Sequence, residues 1–175
     1  GCTSLTTAPE LPGTQGSLSC YQSMFEGCTS LTTPPTISLG ITGTRCCASM
    51  FKGCTALTTA PTLSAIYMSQ GCYASMFQNC TSLTTAPTLP ASGFAGPDCY
   101  WSMFQGCTSL TTAPTLSASN SITNYCYKSM FEGCTGLTTV QATLPATTIG
   151  TESYSSMFKG CTSLTAAPTI SATTL

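Results

Sequence analysis

Histidine is absent from this 175-residue chain, and only nine residues carry charge: Arg45, Lys52, Lys128 and Lys159 against Glu10, Glu26, Asp98, Glu132 and Glu152. Charged side chains make up 5% of the sequence, against about 25% in ordinary soluble domains. A formal net charge of −1 leaves no basic footprint for nucleic-acid phosphates and no polybasic patch for anionic lipid. Without histidine the usual base beside a nucleophilic serine or thiol is missing, and the lysines are scattered. No Gly-rich phosphate loop stands between a strand and a long helix. No apolar run approaches the ~20 residues that span a bilayer. Disorder is disfavoured by the opposite imbalance, low charge with a positive mean hydropathy.

What is present is a repeat. The phrase CTSLTTAP recurs with small changes at Cys2, Cys28, Cys54, Cys80, Cys107, Cys134 and Cys161, at spacings of 26, 26, 26, 27, 27 and 27 residues. A second anchor places Cys20, Cys46, Cys72, Cys99 and Cys126, with Ser153 in the sixth copy, always 8 residues before the next first anchor. The extra residues fall before Cys99, before Cys126 and in Val140-Gln141-Ala142-Thr143, which marks those segments as surface loops. A fixed period of this length means a solenoid, one array over residues 1–175 with six to seven repeats.

Two short elements are expected per repeat. SLTTAP reads as a brief parallel strand with Leu5, Leu31, Leu57, Leu83, Leu110, Leu137 and Leu164 inward, ended by a proline such as Pro35. MFxG reads as one or two helical turns with Met and Phe buried. The next column, Gly27, Gly53, Asn79, Gly106, Gly133 and Gly160, pairs the two residue types that tolerate a left-handed backbone, so it is assigned as a helix C′ cap. The fold class is therefore an α/β repeat solenoid.

The string MFxGCTSLTTAPxLPA, carried through seven partial or complete copies, resembles the BspA-like branch of the leucine-rich repeats, found in bacterial surface proteins and related phage-borne proteins. The resemblance implies a curved right-handed solenoid at a cell surface, outside the cell or on a virion, used for adhesion or recognition and without catalytic activity. It implies no cofactor. The period of 26–27 exceeds that of the shortest members of the branch, and Ala-Pro replaces a second branched apolar residue.

Thirteen cysteines admit three readings. They are two columns of buried thiols, disulfides within each repeat (Cys20 with Cys28 through Cys126 with Cys134), or bridges between stacked copies. Ser153 and the unpartnered Cys2 favour free thiols. A metal site is disfavoured, since neither a CxxC pair nor a histidine exists. Glu26 and Glu132 share a column four repeats apart, ~19 Å at the strand spacing, too far for paired-carboxylate hydrolysis. Glu26 over Lys52 and Glu132 over Lys159 read instead as exposed ion pairs.

Binding residues are expected where the columns vary. The outward strand face is a uniform threonine column, Thr6, Thr32, Thr58, Thr84, Thr111, Thr138 and Thr165, without aromatic or charged anchors. Variety gathers in segments 13–19, 39–45, 65–71, 91–98, 118–125 and 146–152. Arg45, Asp98, Trp101 and Tyr125 are the candidate partner-binding residues, with Trp101 in a column otherwise Gln22, Ala48, Ala74, Lys128 and Ser155. Phe94 is expected in a core pocket with Ile41, Met68, Ile122 and Ile149. Both ends fall inside repeats with no polar cap, which suggests a fragment of a longer protein. Two functions follow as expectations. One is a recognition or adhesion module that binds a protein or glycan through the variable edge; the other is an architectural spacer or filament segment joined end to end, and neither requires nucleic acid or membrane insertion.

Overall fold

A computed structural model describes residues 1–90, 94–116 and 121–173. Successive repeats stack as parallel coils. Each contributes a two-residue strand: β1 Gln15–Gly16, β2 Ile41–Thr42, β3 Tyr67–Met68, β4 Phe94–Ala95, β5 Ser121–Ile122 and β7 Thr148–Ile149. A second short pairing joins β6 Thr143–Leu144 to β8 Thr169–Ile170. β1 to β4 form one parallel sheet in chain order, and β5 pairs with β7.

β1 to β5 and β7 lie in the variable segments, not in SLTTAP as expected, and β6 and β8 also fall outside the LTT stretch. The LTT stretch makes only single parallel bridges, Thr7 to Thr33 and Thr59 to Thr85 to Thr112 to Thr139. Its inward leucines are nevertheless where the pattern put them, with Leu31, Leu57, Leu83, Leu110 and Leu137 fully buried. The proline that follows has no N–H for a ladder, so pairing resumes only after it. Segments that vary in side chain thus carry backbone hydrogen bonds, which any non-proline residue supplies. The extra residues before Cys99 and Cys126 cannot be placed individually, since 91–93 and 117–120 lie outside the described residues.

No helix occurs among the described residues, which corrects the expected helical turn at MFxG. The segment is a chain of overlapping β-turns. Gln22, Met24, Glu26 and Cys28 donate their N–H groups to the carbonyls three residues back, of Ser19, Tyr21, Ser23 and Phe25. The alternate N–H groups of Tyr21, Ser23, Phe25 and Gly27 instead donate to Cys46, Ala48, Met50 and Lys52 of the next coil, at 2.8–2.9 Å. A helix would direct every N–H along its own axis; here half of them join neighbouring coils. The geometry requires a left-handed residue at every fourth position. The Gly/Asn column supplies one, with φ from 60° at Asn79 to 76° at Gly160. The serine column Ser23, Ser49, Ser75, Ser102, Ser129 and Ser156 supplies another, with φ between 52° and 55°. The left-handed assignment of the glycine column therefore holds, at a turn corner rather than a helix cap.

Inside the coils one ring sits on the next. Phe25, Phe51, Phe77, Phe104, Phe131 and Phe158 form a continuous stack with centroids 5.6–5.7 Å apart. A second stack joins Tyr73, Tyr100, Tyr127 and Tyr154 at 5.4–6.0 Å, and Cys47 replaces the ring one coil earlier. Met50, Met76, Met103, Met130 and Met157 fill the space beside them. Offset ring pairs add about 0.5–1.5 kcal/mol each beyond their buried area. Repetition thus makes the phenylalanine contact the same at every coil-to-coil step.

Candidate functional site

Each turn ribbon carries two corner positions, three residues apart, that line one ridge along the array. Arg45, Asp98 and Tyr125 occupy the same corner in successive coils as Ser19, Gly71 and Glu152, and all six have positive φ, from 52° to 62°. The residue three further on forms the neighbouring column, Ala48, Trp101 and Lys128 among its members. The i→i+3 turn bonds of Ala48 to Arg45, Trp101 to Asp98 and Lys128 to Tyr125 hold each pair together. All four residues expected from the sequence therefore stand on one ridge. Arg45 and Trp101 are exposed, and Asp98 and Tyr125 are half-buried.

Trp101, 43% exposed, separates two shallow depressions. One of about 200 Å³ runs from Arg45 to Trp101 and Asp98 over a floor of Ala48, Gly71 and Ala74. Gly71 leaves room for the arginine stem, since a methyl there would come within 3.2 Å of Arg45 Cγ. The other, about 150 Å³, is lined by Asp98, Trp101, Tyr125 and Lys128. Gln70 Nε2 donates to Asp98 Oδ2 at 3.0 Å. Lys128 Nζ donates to Glu152 Oε2 at 2.5 Å and lies 5.2 Å from the centre of the Tyr125 ring. The hydrogen bond to Glu152 holds the lysine above its ordinary value. The ridge combines an indole edge, a guanidinium, an amide-held carboxylate and a cation over a phenol.

Lys128, Glu152 and Gln70 fall outside the four candidates, although Glu152 stands in the variable segment 146–152. The first two were within reach, because 27-residue steps carry Trp101 onto Lys128 and Tyr125 onto Glu152. The exposure inferred for the whole Trp101 column is too broad, since Ala48 is 5% exposed. The pocket expected for Phe94 needs correction in part. Register pairs Ile41 with Tyr67, and Met68 with Thr42. Ile41 and Tyr67 are exposed and Met68 is buried, so Ile41 and Met68 face opposite sides of a strand, and the Phe94 side chain lies outside the described residues.

The other surface columns have structural employment. The outward threonines are exposed, and Thr32, Thr84 and Thr138 each donate their hydroxyl to the equivalent threonine carbonyl one coil back, at 3.2–3.3 Å. Glu26 meets Lys52 at 3.7 Å and Glu132 meets Lys159 at 2.8 Å, as their column order suggests. Between them Gln105 Nε2 donates to Glu132 Oε2 at 3.2 Å.

All thirteen cysteines are free thiols. The first column has a defined role. Cys54, Cys80, Cys107, Cys134 and Cys161 each donate Sγ–H to the carbonyl of the phenylalanine in the preceding coil, at 3.0–3.1 Å. In the second column Cys99 addresses the Ser69 carbonyl at 3.6 Å, and Ser153 Oγ lies 2.7 Å from the equivalent Thr123 carbonyl. That contact explains why serine can replace cysteine there. Among the described residues no group of three metal-ligating side chains converges, and no helix is long and apolar enough to cross a membrane.

No family model matches the chain, and no curated protein matches it. Among solved structures it is similar to a leucine-rich repeat protein from Bacteroides ovatus ATCC 8483, with a TM-score of 0.57 and 25% sequence identity. The likeness covers 93% of this chain and 38% of that one. With its inward leucine column, short parallel pairings and coil-on-coil core, the chain has the fold of a leucine-rich repeat solenoid.

Proposed function

We propose that this solenoid is a non-enzymatic recognition module that displays the Arg45–Lys128 ridge to a macromolecular partner outside the cell, in the manner of the BspA-like repeats. The single observation that carries this reading is the grouping of Arg45, Asp98, Trp101 and Tyr125 around two adjoining depressions, in a chain where charge and large aromatics are otherwise scarce on the surface. Tryptophan, tyrosine and arginine dominate binding hot spots. A saccharide chain suits the chemistry: a sugar face stacks on the indole, and its hydroxyls bond to Asp98, Gln70, Arg45 and Lys128. The absence of histidine and the dispersed carboxylates support a binding rather than a catalytic role.

Trp101 is the sole tryptophan, so its fluorescence reports directly on the ridge. The chain is screened on an oligosaccharide array; each hit is titrated by Trp101 emission in the unsubstituted chain and by calorimetry in both the unsubstituted chain and Trp101→Ala. Trp101→Ala is expected to weaken binding at least tenfold with coil structure unchanged by circular dichroism. A hit whose affinity survives Trp101→Ala refutes the ridge, and an array without hits refutes the saccharide partner.

An architectural role, as a rigid spacer or a segment that continues onto a second copy, is favoured by the unbroken phenylalanine stack from Phe25 to Phe158. Sedimentation across a range of concentrations separates the two readings: end-to-end growth with a ridge-independent response supports the second.

A further inference from the structure

The second cysteine column behaves differently in the first two coils. Cys20 Sγ and Cys46 Sγ stand 2.7 Å apart, whereas Cys99 and Ser153 turn toward backbone carbonyls. The cause lies beneath them. Gly16 faces the pair, and a methyl group at that position would collide with Cys46 Sγ and come within 3.3 Å of Cys20 Sγ. Later coils fill the equivalent position with Thr42 and Met68, both buried. Removing that side chain in the first coil opens the space into which the two thiols meet.

We propose that Cys20 and Cys46 are a redox-active pair that closes to a disulfide between the first and second coils. The residues occupy equivalent positions of adjacent coils, so their Cα atoms are separated by about one coil step of ~4.8 Å, inside the 4.4–6.8 Å range a disulfide spans. Cys20 is exposed and Cys46 is fully buried, which orders the chemistry. The Cys20 thiolate attacks one sulfur of a small disulfide such as oxidised glutathione, whose S–S bond breaks and releases one glutathione thiolate. Cys46, its proton given to solvent, then attacks Cys20 Sγ, and the second glutathione leaves. Two protein thiols are oxidised, one glutathione disulfide is reduced to two thiols, and the two protons end on them. Hydrogen bonds from Cys47 first and Cys20 next hold the Cys46 thiol below its ordinary value against the effect of burial. Burial first, then Cys46, raises Cys20. The second step is intramolecular, between sulfurs already held side by side, so it outruns the first. Cys47, 3.9 Å from Cys46, is the competing partner.

Mapping the oxidised chain tests this without any substitution. Trypsin cuts after Arg45 and Lys52, which puts Cys20 and Cys46 on peptides 1–45 and 46–52. After exposure to oxidised glutathione, those peptides are expected to be joined, with fragmentation placing the bond at Cys20 and Cys46, while Cys54, Cys80, Cys107 and Cys134 remain alkylatable. Cys46→Ser, tolerated in this column at Ser153, should accumulate a Cys20–glutathione adduct at least tenfold above the unsubstituted chain. Cys20→Ser should leave Cys46 unmodified. A bond mapped to Cys47, Cys2 or Cys28 would overturn the assignment, as would an adduct on Cys20 that persists equally with Cys46 present.

Discussion

Removing one ring from the phenylalanine stack tests how the array holds together. Phe77 is fully buried, its centroid 5.6 Å from both Phe51 and Phe104 with planes within 5°. Phe77→Ala removes the buried ring and leaves a gap in a coil-to-coil core, which costs about 3–5 kcal/mol. Of that, the two lost stacking contacts account for ~0.5–1.5 kcal/mol each. Phe158 is half-buried and stacks on Phe131 alone, at 5.7 Å, so Phe158→Ala should cost about half as much, roughly 1.5–2.5 kcal/mol. In a solenoid, stability is a sum of coil and nearest-neighbour terms, so the Phe77 gap weakens two interfaces and uncouples the coils on either side. Urea unfolding followed both by circular dichroism and by Trp101 emission reads this out. The two signals should share a midpoint in the unsubstituted chain and separate in Phe77→Ala. A Phe77→Ala cost under about 1 kcal/mol, or one equal to that of Phe158→Ala, would refute the reasoning.

Three further outcomes follow from the packing inside the coils. Among the described residues the buried Tyr73 hydroxyl has no hydrogen-bond partner, whereas Tyr100 Oη donates to Met68 Sδ at 3.3 Å. Tyr73→Phe should thus raise thermal stability by about 1 kcal/mol, and Tyr100→Phe should not. At Gly53, φ is 72° and a methyl would meet only backbone at 3.8 Å, so Gly53→Ala should cost the left-handed penalty alone, about 1–2 kcal/mol. Gly106→Ala should cost more, because its methyl also collides with the Asn79 side chain; urea midpoints rank the two. Burial raises Cys54, Cys126 and Cys134 from the ordinary 9.0 to about 12. Between those values the unfolded chain has lost protons that the folded chain keeps, so stability is complete below pH 9 and declines as pH rises toward 12. Unfolding midpoints measured across that window check the sign, and a flat profile would count against buried neutral thiols.

Much of the fold was legible because repetition turns one observation into seven. Leu31 and its equivalents could be placed inward from strand alternation, and Asn79 at a glycine column revealed the left-handed corner. Ion pairs such as Glu132 with Lys159 followed from column order alone. What was misjudged has a common origin. MFxG carries the apolar spacing of a helix, yet its amides are divided between the local turn and the next coil, and Ser23 and its equivalents adopt positive φ with no residue type to signal it. The uniform segment carries the strand-like alternation, whereas the ladder runs through varied residues such as Ile41, Tyr67 and Phe94, where side-chain identity and backbone pairing are independent. The ridge was half visible: Arg45, Asp98, Trp101 and Tyr125 stood out by variation within columns, while Gln70 became relevant only through its bond to Asp98.

By itself the amino-acid order determined the period, the inward leucines, the buried Met and Phe columns and the lack of common catalytic groups, because each of these is a property of a column. Tertiary structure decided where the backbone hydrogen bonds go, which thiols meet carbonyls and which meet each other, and that Trp101 divides a pair of depressions. Those outcomes depend on distances between coils, set by packing across some 26 residues of intervening chain that no local pattern specifies.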